Sequence, residues 1–164
     1  MRSLFRLYDR ITRPIFPYAQ SALLLFVRLY WGWQLTQNGW GKLHHLDKVT
    51  EYFQSLNVPM ASFNAHFVSG LEFVTGILFI IGFANRLIAV PMTINLCVAY
   101  WFAEREALMS FFSDPGKFYA ADPYTFLFAS VMILIFGPGL FSIDAVIRRA
   151  LADRKREPVE AVAA

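Results

Sequence analysis

The chain has a single cysteine, Cys97, in 164 residues, and Asp, Glu, Lys and Arg together make up only 16% of it. One thiol excludes an intramolecular disulfide and any multi-cysteine metal or iron–sulfur cluster. An average soluble domain carries roughly 25% charged residues, so the shortage of charge points away from water and towards lipid. The first eighteen residues bear arginines but lack the apolar core and small-residue cleavage site of a signal peptide. No internal repeat and no flavin motif appears, and low complexity is confined to residues 154–164, where disorder is expected. The formal charge of +3 comes from arginines next to apolar runs; it suits anionic lipid headgroups and gives no case for nucleic acid.

What fills the chain instead is apolar and aromatic: 57% hydrophobic residues and 17% aromatics, with seventeen Phe. The runs divide into four. The first covers residues 18–38 and the second 61–83. The third starts at Leu87 and continues past Phe102 through the aromatic stretch to about Phe112, and the fourth covers 123–137 with a start within Phe118–Tyr119. A bilayer crossing takes about 20 residues, so the expected fold is an all-α, polytopic membrane protein with a four-transmembrane-helix bundle. Basic residues decide its orientation. Arg2, Arg6, Arg10, Arg13, Arg86, Arg148, Arg149, Arg154, Lys155 and Arg156 fall on one side, against Lys42, Lys48, Arg105 and Lys117 on the other. The positive-inside rule then puts both termini in the cytoplasm. Residues 1–17 read as an amphipathic surface segment closed by Pro14 and Pro17, residues 18–141 as the membrane domain, and residues 142–164 as a basic cytoplasmic helix with its tail.

The connections carry their own signals. Val49, Tyr52, Phe53 and Leu56 recur at helical spacing, and Asn57-Val58-Pro59 ends that short helix. Asn85-Arg86 makes a turn so short that the second and third spans are antiparallel neighbours. Asp114-Pro115-Gly116 is a turn, and Asp122-Pro123 opens a helix with proline at its first position. Trp31, Trp33, Trp40 and Trp101 gather near the far ends of the first and third spans, as an interfacial aromatic belt does.

Two charges lie inside the apolar runs. Arg28 is about 15 Å deep if the first helix begins at Tyr18, and Glu72 about 16 Å past Ala61. Both reach the midplane of a ~30 Å hydrocarbon layer, and lone charges there pair or line a functional cavity. They are therefore expected to pair across the first two helices, as catalytic groups or as an architectural clasp that also takes in Asn95. Arg28, Trp31, Leu35, Asn38 and Lys42 share a helical stripe, as do Ala65, Ser69, Glu72, Thr75/Gly76 and Phe79. Gly32, Ser69, Gly76 and Ala99 permit close helix packing. His44, His45 and His66, with Lys42, Asp47, Met60 and Arg105, make a polar rim. No ligand spacing for a metal and no axial pair for a haem is present, and the histidines read as solvated. Cys97 reads as a small apolar side chain.

Several segments taken together resemble the DoxX family of small four-helix membrane proteins. They are Arg28-Leu29 with Gly32, the stretch Asn38-Gly-Trp-Gly-Lys42-Leu, Glu72-Phe-Val-Thr-Gly76, Gly82-Phe-Ala-Asn-Arg86-Leu, and Gly137-Pro-Gly-Leu-Phe-Ser-Ile-Asp144. Such proteins are similar to the membrane subunit of thiosulfate:quinone oxidoreductase. The resemblance implies a quinone-linked role in the plasma membrane (a bacterial inner membrane), with quinone as a diffusible substrate and a redox partner protein, and no catalytic mechanism comes with it. Arg28 and Glu72 are the expected catalytic pair, and Asn38, Lys42, His66, Asn95 and Arg105 the expected substrate or quinone contacts. Lys42 and Arg105 suit a small sulfur oxyanion at the outer face. Two alternatives stand beside this: a non-catalytic anchor or assembly subunit for a redox partner, and a small transporter or proton relay built as a homo-oligomer.

Overall fold

The computed structural model describes the backbone of residues 2–163 and the side chains of Arg13 and residues 15–153. Among the described residues the chain is all-helical. It runs α1 (Arg2–His44), α2 (Leu46–Ser55), α3 (Ala61–Ile81), α4 (Asn85–Phe102), α5 (Arg105–Met109), α6 (Pro115–Ala120), α7 (Pro123–Phe136) and α8 (Ile143–Ala163). The amphipathic character expected of residues 1–17, and the groups Arg2, Arg6, Arg10, Arg154, Lys155 and Arg156, lie outside the described side chains.

Four long helices touch in a ring. The closest packing is α1 on α3 and α4 on α7, while α3–α4 and α1–α7 contacts are sparser. Within the ring Val27, Leu35, Phe79, Ala89, Met92, Leu96, Ala129 and Ile133 make the buried core. The stripe read on α3 is the one that is buried: Ala65, Ser69, Glu72, Thr75, Gly76 and Phe79. By length and composition α3 is the one helix among the described residues that suffices to cross a membrane; α7 is apolar but shorter.

Small residues set the α1–α3 register. A methyl group added at Gly39 would land on the backbone of Phe73, and one at Gly76 on Thr36 and the Gly32 carbonyl. The two backbones therefore touch, and the contacting stripe of α1 runs Arg28, Gly32, Leu35, Gly39 and Lys42 rather than through Asn38. Asn38 is exposed.

Several boundaries differ from expectation. α1 passes unbroken through Pro14 and Pro17; each proline removes only one intrahelical bond, a local loss within a helix of 43 residues. α4 stops at Phe102 instead of running to Phe112. The charged Glu104-Arg105 pair ends the apolar helix there, and the Arg105 guanidinium lies over the Trp101 ring at 4.9 Å. Past it, Tyr100 stacks on Phe118, with ring centroids 4.7 Å apart, and donates to the Phe118 carbonyl at 2.8 Å, tying α6 back onto α4. α8 continues to Ala163, where disorder is expected, through a stretch rich in the good helix formers Ala, Glu, Arg and Lys.

Candidate functional site

Arg28 and Glu72 do not pair. The Arg28 guanidinium, 1% exposed, spends its donors on backbone carbonyls. Nε reaches Phe79 O at 2.7 Å, Nη2 Ile80 O at 3.0 Å, and Nη1 both Pro138 O at 2.7 Å and Phe141 O at 2.8 Å. The last carbonyls of a helix have no intrahelical donors, and a planar fork of five N–H groups suits several of them at once. Arg28 thereby ties the C-terminus of α3 to the loop between α7 and α8. Gly82, with φ of 76°, makes room for it, since a methyl group there would collide with Nη2.

The same end of the molecule carries further ties. Asp144 accepts from the N–H groups of Ala84 (2.9 Å) and Asn85 (3.3 Å), and its own N–H donates to Gly82 O at 3.0 Å. A carboxylate at the start of α4 satisfies otherwise orphaned donors and suits the helix dipole. It also holds Ala84 at φ of 51°, a left-handed conformation costing roughly 1–2 kcal/mol for an L-residue. Arg86 Nη2 donates to Ile135 O, and Leu140 N donates to Ser21 Oγ.

Glu72 is paired with Lys42. Nζ lies 2.6 Å from Oε1 and 2.8 Å from Oε2, with the Glu72 side chain 8% exposed and that of Lys42 37%. The correction follows from helix direction. Side chains lean towards the N-terminus of their own helix, so on antiparallel α1 and α3 Lys42 and Glu72 lean towards each other. Arg28, on the same helix, leans the same way as Lys42, which carries it away from Glu72 and towards Gly82. With Arg28 level with Phe79 and Ile80, about 10 Å along α3 separates it from Glu72. The continuous α1 has no start at Tyr18, so depth counted from there misplaces Arg28.

The ion pair forms one wall of a cavity of about 440 Å³ between α2, α3 and α4. This is within the usual range for small-molecule sites, ~300–1,000 Å³. Tyr52, Phe53, Leu56, Val58 and Pro59 roof it; Phe67 and Val68 line the α3 side; Pro91, Ile94, Asn95, Val98, Ala99 and Phe102 line the α4 side. Its polar groups are Lys42, Glu72, Asn64 and Asn95, and the rest of the lining is largely apolar. Of the expected contacts, Lys42, Glu72 and Asn95 meet here. Arg28 and Asn38 do not line it. His66 is exposed and bonded to the Ser62 carbonyl, and Arg105 is exposed beside Trp101. His44 and His45 each bond the carbonyl four residues back. Among the described residues no three His, Cys, Asp or Glu come together as a metal-binding group. The sequence reading missed the roof: the amphipathic face of α2 was legible, but not which cavity it covers.

Among the described residues the structure is all-helical, with one helix long and apolar enough to cross a membrane and a tight α1–α3 interface of small residues. A family model, DoxX, matches residues 23–105, and the chain belongs to the DoxX family. Comparison with curated proteins finds no match, and comparison with solved structures finds none either.

Proposed function

We propose that this chain is a quinone-interacting integral membrane subunit of an oxidoreductase system and that the Lys42–Glu72 pair receives the quinone head. The observation that carries this is an ion pair in the wall of a largely apolar 440 Å³ cavity of a membrane protein. Intramembrane charges are costly, and they mark sites where a proton or a polar head is handled. The Lys42 ammonium, the more exposed partner, donates to a quinone carbonyl, and Asn95 contributes a second donor from the α4 wall. Reduction of a quinone takes up two electrons and two protons. The electrons come from a redox partner protein or from a small sulfur oxyanion oxidised beyond the cavity roof, and Glu72 exchanges protons with the head.

In this reading α1, α3, α4 and α7 are the four spans in the plasma membrane. The excess of Arg and Lys places the Gly82 turn and both termini on the cytoplasmic side. α2, α5 and α6 then lie on the outer face. α8, with Ile143, Val146, Ile147 and Leu151 exposed beside Arg148 and Arg149, lies along the inner headgroups.

Mass spectrometry of an organic extract from gently purified protein tests the site. Wild type should carry near-stoichiometric quinone, and a folded Glu72→Gln variant should lose it; equal quinone in both overturns the assignment. A second reading, a non-catalytic anchor for a redox partner, is favoured by Arg28, whose bonds are wholly structural. It is supported by a co-purifying protein with no quinone in either sample.

A further inference from the structure

The cavity has one wall that is incompletely closed. α3 and α4 are joined by only three residues, Gly82–Ala84, yet α3 packs chiefly on α1 and α4 on α7, leaving the α3–α4 seam sparse. The seam is held shut where Arg28 and Asp144 grip the turn. Further along α4, Asn95 and Ala99 face the cavity between the bulkier Ile94, Val98 and Phe102. On the α3 and α4 walls the side chains that are both cavity-lining and exposed are Phe67 (52%), Ile94 (59%) and Val98 (46%), all apolar. Overhead, Phe53, Leu56 and the Val58-Pro59 corner cover the cavity. The opening at the seam thus has an apolar rim facing the side of the molecule, and the polar pair sits at its inner wall.

We infer that the slot between α3 and α4 is a lateral portal through which a quinone with a long isoprenoid tail enters from the bilayer. Its head rests at Lys42–Glu72 and its tail lies across Phe67, Ile94 and Val98. This rests on the quinone reading above and adds the route and the substrate class: a membrane-dissolved, tailed quinone in place of a water-soluble one. A tail left in the seam keeps its apolar surface out of water at each end of the journey, while the head exchanges headgroup contacts for Lys42 and Asn95.

The test is binding in lipid nanodiscs of a quinone with a long prenyl tail and of the tail-less quinone with the same head. Wild type, Ile94→Trp and Val98→Trp are compared, with thermal unfolding as a fold control. The portal predicts that the tailed quinone binds wild type at least about tenfold tighter than the tail-less one, after correction for partition into lipid. It also predicts that either tryptophan removes most of that advantage while binding of the tail-less head changes little. Equal binding of the two quinones, or tryptophan variants that bind the tailed one as wild type does, overturns the portal and leaves the head site standing. No binding of either quinone to wild type overturns both.

Discussion

Arg28 and Lys42 stand fourteen residues apart on the same helix, both aimed at α3, and they are held in opposite ways. Arg28 is sealed in and largely committed: four bonds to four carbonyls, from two separate segments, use four of its five N–H donors, and its head is buried away from any ligand. Lys42 has one partner, Glu72, and more than a third of its side chain remains accessible beside a cavity. Both are cations in apolar surroundings, so residue type and apparent depth do not separate a structural charge from a functional one. The number of donors already committed does.

The contrast breaks most visibly at Arg28. Replacing it with Lys keeps the charge but not the fork, and a single ammonium cannot reach carbonyls on both α3 and the Gly137–Ser142 loop. A loss on the order of 3–5 kcal/mol is expected, the range for uncoupling a buried charge from its partners, seen as lost folded protein or a sharply lowered unfolding temperature in detergent. Wild-type stability in Arg28→Lys would erase the distinction drawn here.

At the other pair the two halves are unequal, which sharpens the comparison. Lys42→Met strands a carboxylate that is almost wholly buried and should cost about 1–3 kcal/mol. Glu72→Gln leaves an ammonium that reaches water and should cost about 1 kcal/mol or less, since partly exposed pairs are weak. Chemical or thermal unfolding of the two variants side by side checks the order; the reverse order would mean that Glu72, not Lys42, is the solvated partner. Next in size is Asp144→Ala, which removes the N-terminal cap of α4 and should cost about 1 kcal/mol.

The smallest effect belongs to the exposed pair Lys117–Glu106, at 2.9 Å. The bond from Lys117, then its charge, holds the Glu106 carboxyl below the usual glutamate range. A depressed carboxylate stabilises the fold above its unfolded pKa and loses that contribution as pH falls through the folded value. Lys117→Ala should leave stability unchanged within error, while the Glu106 titration followed by NMR moves upward to the ordinary range.

Much of this was legible from single residues. The α3 stripe, the short α2 ended at Asn57–Pro59 and the start of α7 at Asp122-Pro123 each follow from a local pattern that tertiary context left alone; the short turn between α3 and α4 was legible too, but it lies at Gly82–Ala84, and Asn85-Arg86, where it was expected, already belong to α4. The partner of Glu72 was not legible, because pairing across two helices depends on their relative register. That register is fixed by Gly39 against Phe73 and Gly76 against Thr36, close approaches that apolar periodicity does not reveal. The role of Gly137–Asp144 was hidden for a related reason: it acts through backbone carbonyls and one carboxylate on segments more than fifty residues away. The cavity was legible only in part; Lys42, Glu72 and Asn95 were singled out, but an empty volume is written in the small residues and gaps of three elements at once.

The three-residue turn between α3 and α4 has a mechanical consequence. Arg28 and Asp144 lock it from both sides, so any relative motion of the two helices is a rotation about that point. α4 has 18 residues, a lever of about 27 Å, and a tilt of roughly 5° at the turn would swing its far end by about 2 Å. That displacement, small at the pivot and largest beside Ala99 and Phe102, is a sizeable fraction of the width of a hydrocarbon chain. The rigidity at one end of the molecule is what would let a slight angular change act as an aperture at the other.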